Sequence, residues 1–395
     1  MSGFDAERLA RLRDLMAGHV ASGDTGGVAW LAARGGDVET GTAGHLTRGE
    51  PAPVRRDSVF RISSMTKPIV AVGALALVEE CRLRLDDPVD ALLPELADRR
   101  VLVDGRGPLD GPTVPAQRPI TVYDVLTFRL GLGMDFEAPW PQPLLDAFGG
   151  LELAAGPPQP QMPPAPDEWM RRLGTLPLLY QPGERWLYDT GADVLGMLVA
   201  RAAGLPLDRF LRDGVFGPLA MVDTGFSVDA VDRLGSCYNT DPATAQPELF
   251  DPPAGQWSTP PAFCSGGGGL ASTLDDMHAF GRMLLAGGRL PDGGRLLSRA
   301  AVEAMTTDHL HGAGGPSPDG SEGWGLGVGV QVRRTGMGPT VGSYGWAGGL
   351  GSAWGNDPGE GVVGVVLTTD AFAGPNPPPA VIRDFWTGVY AAIDD

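Results

Sequence analysis

The stretch Ser63-Ser64-Met65-Thr66-Lys67-Pro68 runs without a break into Ile69-Val70-Ala71-Val72-Gly73-Ala74-Leu75-Ala76-Leu77-Val78, and its reading decides the fold. Proline is tolerated in the first turn of a helix, and the run that follows is apolar on every side, so the pattern predicts a helix buried from all directions. Ser64 and Lys67 stand at its start, three residues apart and therefore on one face. A serine there has backbone N–H groups and the positive end of the helix dipole beside it, which favour an oxyanion. In apolar surroundings a lysine is expected to lose its proton more readily and to accept the serine's. The competing reading is a helix cap followed by a solvated lysine, and the all-apolar helix argues against it.

Outward from that stretch, composition narrows the possible functions. The chain has 395 residues, 43% of them hydrophobic and 20% charged, which suits a folded globular protein of one large domain or two interleaved lobes. A formal net charge of −18 repels phosphate backbones and anionic membrane surfaces, so neither nucleic acid nor membrane is expected as a partner. No apolar run is long enough to span a bilayer, and the opening Met1 to Arg8 lacks a secretory layout, so the chain reads as cytoplasmic. Cys81, Cys237 and Cys264 are far apart and odd in number, and are expected as reduced core thiols. His309 and His311 form the closest histidine pair but lack a metal-site pattern, so no metal or other cofactor is expected. All but one of the 30 basic residues are arginine, and the exception is Lys67. Arginine stays protonated, whereas a desolvated lysine can act as a base, so the single lysine marks a place where deprotonation matters.

Periodicity predicts the remaining architecture. Residues 5–20 carry Leu9, Leu12, Leu15, Met16 and Val20 on one helical stripe, with Asp5 as N-cap. Residues 27–33 and 38–43 read as two strands around a turn at Gly35-Gly36-Asp37. Helices are expected near 121–127, 169–176, 193–203, 207–211 and 274–286, with a long Pro-rich loop at about 137–167. Strands follow at 326–332, 342–346, 351–354 and 362–368, and a helix at 379–393. Strands at both ends of the chain around a helical middle imply one sheet built from both termini. The expected lobes are 1–75 with 270–395, and 76–269.

Ser64-Met65-Thr66-Lys67-Pro68 resembles the S-x-x-K element of the penicillin-recognising, serine β-lactamase-like enzymes, and its S-x-T-K-P form resembles class C β-lactamases and family VIII carboxylesterases. Pro182-Gly183-Glu184-Arg185-Trp186-Leu187-Tyr188 is similar to the family segment that carries a catalytic tyrosine, a role the resemblance gives to Tyr188. A phenol beside an ammonium can shuttle a proton between serine, leaving group and water; the alternative is a core aromatic. Ser265-Gly266-Gly267-Gly268-Gly269-Leu270-Ala271-Ser272-Thr273 resembles the family's glycine-rich run, and lacks the Gly-Lys-Ser/Thr ending of a phosphate loop. Trp346-Ala347-Gly348 stands for the family's K-T-G strand; by resemblance Gly349 N–H completes the oxyanion hole with Ser64 N–H.

The resemblance implies a β-lactamase/transpeptidase-like fold, α/β plus all-α: an antiparallel sheet flanked by helices, with an inserted helical lobe. Trp346 replaces the lysine that would hold the carboxylate of a β-lactam or peptide, a charge-assisted bond worth about 1.5–3 kcal/mol. Ester substrates lose nothing by that exchange. The family asparagine two residues past the tyrosine is Thr190 here, and Asp189 stands where serine is usual. Phe128-Arg129 lies where relatives often show His-Thr-Ser, and reads as structural variation. The expectation is a carboxylesterase for small-molecule esters, with Ser64, Lys67 and Tyr188 catalytic and Trp346, Ala347, Gly348 and Thr190 lining the substrate. An acyltransferase, a β-lactamase or peptide amidase, and a non-catalytic binding protein are the alternatives. Neither a G-x-S-x-G elbow nor a partnered histidine supports a Ser-His-Asp hydrolase.

Overall fold

The computed structural model describes residues 3–154, 156–312, 314–372 and 378–394. Seven strands form its main sheet: β1 (Gly27–Arg34), β2 (Asp37–Gly44), β3 (Glu322–Trp324), β4 (Gly329–Gln331), β5 (Tyr344–Gly348), β6 (Ser352–Asp357) and β7 (Val362–Thr368). They are ordered β2-β1-β7-β6-β5-β4-β3, and every neighbouring pair is antiparallel. The N-terminal hairpin therefore docks onto the C-terminal strands through β1 and β7, with Trp30 opposite Val366. Both strands are buried along their whole length, which explains their unbroken apolar runs: each face is covered by helices.

On one face lie α1 (Ala6–Ser22), capped by Asp5 Oδ1 accepting from Arg8 N at 2.8 Å, and a C-terminal helix, Ala380–Ala391. Leu12 and Met16 meet Trp30, Val366 and Phe385 there. Leu15, expected on the buried stripe, is exposed, and His19 takes the inner face instead, held by Asp24 and Asp384. The opposite face, with Leu31, Val365 and Leu367, packs on the helix Leu274–Leu285 through Met277, Phe280 and Leu284.

The helical part begins with α2 (Thr66–Glu79), followed by α3 (Val122–Leu126), α4 (Pro143–Gly150), α5 (Pro166–Leu173), α6 (Thr190–Ala203) and α7 (Leu207–Leu211). α2 is buried from Thr66 to Leu75 and shares a core with Val194, Leu195 and Leu198 of α6, as its composition requires. It crosses the expected lobe boundary at 75/76. The segment read as one Pro-rich loop contains α4, where Pro143 occupies a first-turn position and Leu144 and Phe148 are buried. Proline suits a helix start as well as a loop, and that ambiguity hid the element. α6 starts three residues earlier than its apolar pattern, and β4 occupies only part of 326–332. Cys237 is buried, but Cys81 is exposed just past α2 with φ 57°, not in the core.

Candidate active site

The short 3-10 turn Ser63–Met65 leads directly into α2 and presents Ser64 half-exposed between buried neighbours. Its position is fixed from three sides. Ile62 N donates to Leu270 O at 3.0 Å, Ser352 Oγ of β6 donates to Ile62 O at 3.0 Å, and Leu270 N donates to Thr66 Oγ1 at 3.1 Å. Thr66 Oγ1 in turn donates to Ser63 O at 2.6 Å. Ser63 has φ 46°, uncommon for a residue with a Cβ, so these contacts hold the nucleophile turn in a conformation the chain would not choose alone. Just upstream, Arg61 and Asp251 form a buried ion pair that anchors the approach to the turn.

Lys67, 1% exposed, reaches back one helical turn. Its Nζ donates to Ser64 Oγ at 3.0 Å, Asp189 Oδ1 at 2.6 Å and Gly267 O at 2.5 Å. Burial acting alone would lower its pKa, as the sequence led one to expect. The charges of Asp189, Tyr188 and Asp193 and the hydrogen bond to Asp189 outweigh it, and Lys67 is held above its ordinary value. Its apolar surroundings contain one carboxylate in direct contact and further negative charge nearby, and together these reverse the sign.

Tyr188 is pinned by paired backbone bonds with Met134, N to O at 2.8 Å and O from N at 2.9 Å. Its ring lies against Phe136, with centroids 5.0 Å apart, and 4.6 Å from Lys67 Nζ. Trp346 Nε1 donates to the Tyr188 hydroxyl oxygen at 2.9 Å. Expected as a substrate-pocket wall, the Trp346 indole is therefore turned toward the tyrosine, and it packs edge-on against Trp324 at 4.8 Å. Phe128, read as a structural variation, joins the aromatic group around Trp186, Tyr188 and Trp324.

Trp346 and Ala347 are half-buried on β5, whereas Gly348 is buried against the nucleophile turn. A Cβ on Gly348 would sit 2.2 Å from Ile62 O and 2.4 Å from Ser352 Oγ, so only glycine allows β5 to lie this close. Gly349 is exposed, and a Cβ on it would meet nothing within 4 Å. Thr190 is buried in the first turn of α6. The carboxylate that reaches Lys67 comes from Asp189, so Asp189 and not Thr190 stands where the lysine is held.

Asp189 and Asp193 are the site residues the sequence reading left without a role. Asp193 Oδ1 accepts from Ser265 Oγ at 2.7 Å and Gly267 N at 2.9 Å, and so orients the Gly267 carbonyl toward Lys67. Burial and the nearby Asp189 push Asp193 up to about 6, against the opposing effects of these hydrogen bonds and Lys67. Two acidic residues four apart beside the tyrosine segment, in a chain with one lysine, were the available signal. Among the described residues no group of three or more His, Cys, Asp or Glu is arranged to hold a metal. No described helix is long and apolar enough to cross a membrane.

The family model Beta-lactamase matches residues 12–383. Protein Rv1367c of Mycobacterium tuberculosis is 39% identical over 320 residues, covering 78% of this chain and 76% of that protein. Esterase EstB of Burkholderia gladioli is 31% identical over 388 residues, covering 93% and 91%. The structure of EstCE1, a hydrolase with promiscuous acyltransferase activity, superposes with a TM-score of 0.78 at 25% identity, covering 97% of this chain and 99% of that one.

Proposed function

This chain belongs to the beta-lactamase family, and from that premise we propose that it is a serine carboxylesterase acting on small esters through an acyl-enzyme on Ser64. The observation that carries the reading is the grouping of Ser64 Oγ, Lys67 Nζ and Tyr188 beside an indole, Trp346, at the strand position where a carboxylate-binding cation would stand. Ser64 Oγ attacks the ester carbonyl, and its proton passes through the Lys67–Tyr188 pair to the leaving alkoxide. The backbone N–H groups of Ser64 and Gly349 hold the oxyanion. Water then attacks the acyl carbon, gives its proton to the same pair, and the proton returns to Ser64 as the acid leaves. Ala347 and Gly348 offer the strand edge along which the acyl group lies.

Intact-mass spectrometry after exposure to short p-nitrophenyl esters and a fluorophosphonate, with wild type and Ser64→Ala compared, tests this reading. An adduct on the wild type alone is expected, and an adduct on both removes Ser64 as nucleophile. Nitrocefin turnover is expected to be far below ester turnover; comparable rates would favour a β-lactamase. A second reading, acyl transfer to an alcohol in place of water, is favoured by the likeness to EstCE1, a hydrolase with promiscuous acyltransferase activity. Product analysis with an added alcohol acceptor separates the two.

A further inference from the structure

Asp189 is held in an unusual backbone conformation, φ 81° and ψ −64°. Thr190 N donates to Tyr188 O at 3.2 Å across it, closing a γ-turn of the rare positive-φ kind. Such a conformation costs free energy and persists only where its surroundings impose it. Here the Met134 pairing of Tyr188 on one side and the start of α6 on the other impose it. The result is a carboxylate 2.6 Å from Lys67 Nζ.

Lys67 Nζ has three polar neighbours. Gly267 O and the Asp189 carboxylate accept only, so two N–H bonds are committed to them. A neutral amine would then turn its lone pair to Ser64 Oγ and accept the serine proton, whereas an ammonium turns a third N–H there and donates. The two states differ in a single proton, 3.0 Å from the nucleophile. The negative charge of Asp189 favours the ammonium. We infer that Asp189 is a positioning residue that keeps Lys67 an ammonium donating to Ser64 Oγ, so that the ammonium stabilises the serine alkoxide. The alkoxide role rests on the reading of Ser64 as nucleophile; the charge state of Lys67 does not. The titratable groups facing Lys67 are Asp189 and Tyr188 from the turn before α6 and Asp193 from α6 itself. The glycine-rich run faces it with the Gly267 carbonyl, and β5 contributes no charge to that list.

The chain contains one lysine, so protein grown with lysine labelled with carbon-13 at Cε gives a single lysine resonance that reports Lys67 directly. In the wild type that resonance is expected to keep its ammonium position to the alkaline limit of the folded state. In Asp189→Asn, which preserves side-chain shape, and in Asp189→Ser, it is expected to titrate about one to three pH units lower, as burial takes over. The alkaline limb of the fluorophosphonate labelling rate of Ser64 moves down by the same interval. An unmoved Lys67 resonance in the folded variants overturns the role of Asp189. A labelling rate that instead extends to lower pH in either variant overturns the alkoxide role, because neutral Lys67 is then the productive form. Absence of Ser64 labelling in the wild type overturns the nucleophile assignment and the alkoxide role with it, while the resonance still decides the charge state of Lys67.

Discussion

Trp346 and Tyr188 are joined by one hydrogen bond that links the β5 strand to the proposed proton path. Trp346→Phe keeps an aromatic ring and removes the N–H. The loss of one such bond, about 0.5–1.5 kcal/mol, lowers kcat up to about tenfold with KM little changed. Steady-state kinetics on a short p-nitrophenyl ester measure it, and an unchanged kcat places the bond outside the proton path. Asp193 allows a stability test at the same scale. Its folded pKa of about 6 lies above the ordinary 3.8, so the native state binds its proton more tightly than the unfolded chain does. Its contribution therefore makes stability fall as pH rises from about 4 to about 6, and the penalty is complete above that interval. Asp193→Asn retains an acceptor for Ser265 Oγ and Gly267 N but carries no charge. Relative to wild type it is expected to gain melting temperature at pH 8 and not at pH 4, as thermal unfolding at the two pH values would record. A variant destabilised equally at both would assign Asp193 a purely hydrogen-bonding role.

At the scale of elements, the decisive contact is between β5 and the turn Ser63–Met65. Gly348→Ala places a methyl against Ile62 O and Ser352 Oγ, two atoms of the frame that holds the nucleophile turn. It is expected to lower both the melting temperature and the ester hydrolysis rate. Gly349→Ala points a methyl into open space, so its melting temperature should stay at the wild-type value. Equal losses of melting temperature in both variants would mean that the strand is not pressed against the turn as described. This contact was not legible from residues 346–349, because a glycine in a strand has the same appearance whether it faces solvent or a neighbouring backbone.

For the molecule as a whole, the two ends of the chain are interdependent. The C-terminal helix Ala380–Ala391 buries Phe385 completely against the N-terminal helix α1 and β1, with Trp30 6.3 Å away between ring centroids. Phe385→Ala is expected to cost about 3–5 kcal/mol in urea-induced unfolding. It should leave Ser64 labelling unchanged below the transition, because this core lies on the sheet face away from α2. A loss much under that range would show that the terminal helix is not integral to the sheet.

The amino-acid sequence by itself determined the elements whose signal is local. The apolar run 69–78 could only be a buried helix, β7 matches its Val-rich stretch at Val362–Thr368, and the Asp5 cap begins α1 where expected. It also singled out Ser64 and Lys67, by their spacing at the start of that helix, and Tyr188 through the family resemblance of its flanking segment. What only the tertiary structure decided is the electrostatic balance at Lys67. Asp189 is 122 residues away along the chain, and its carboxylate reaches the amine through a strained turn that no propensity favours. A low-dielectric site amplifies whichever charge is placed in it. Apolar composition around residues 67–78 therefore pointed to a depressed lysine, while the Asp189 carboxylate at 2.6 Å, with the charges of Tyr188 and Asp193 behind it, raised it. The direction of the Trp346 indole was decided in the same way, by a partner across the fold and not by a neighbour in sequence.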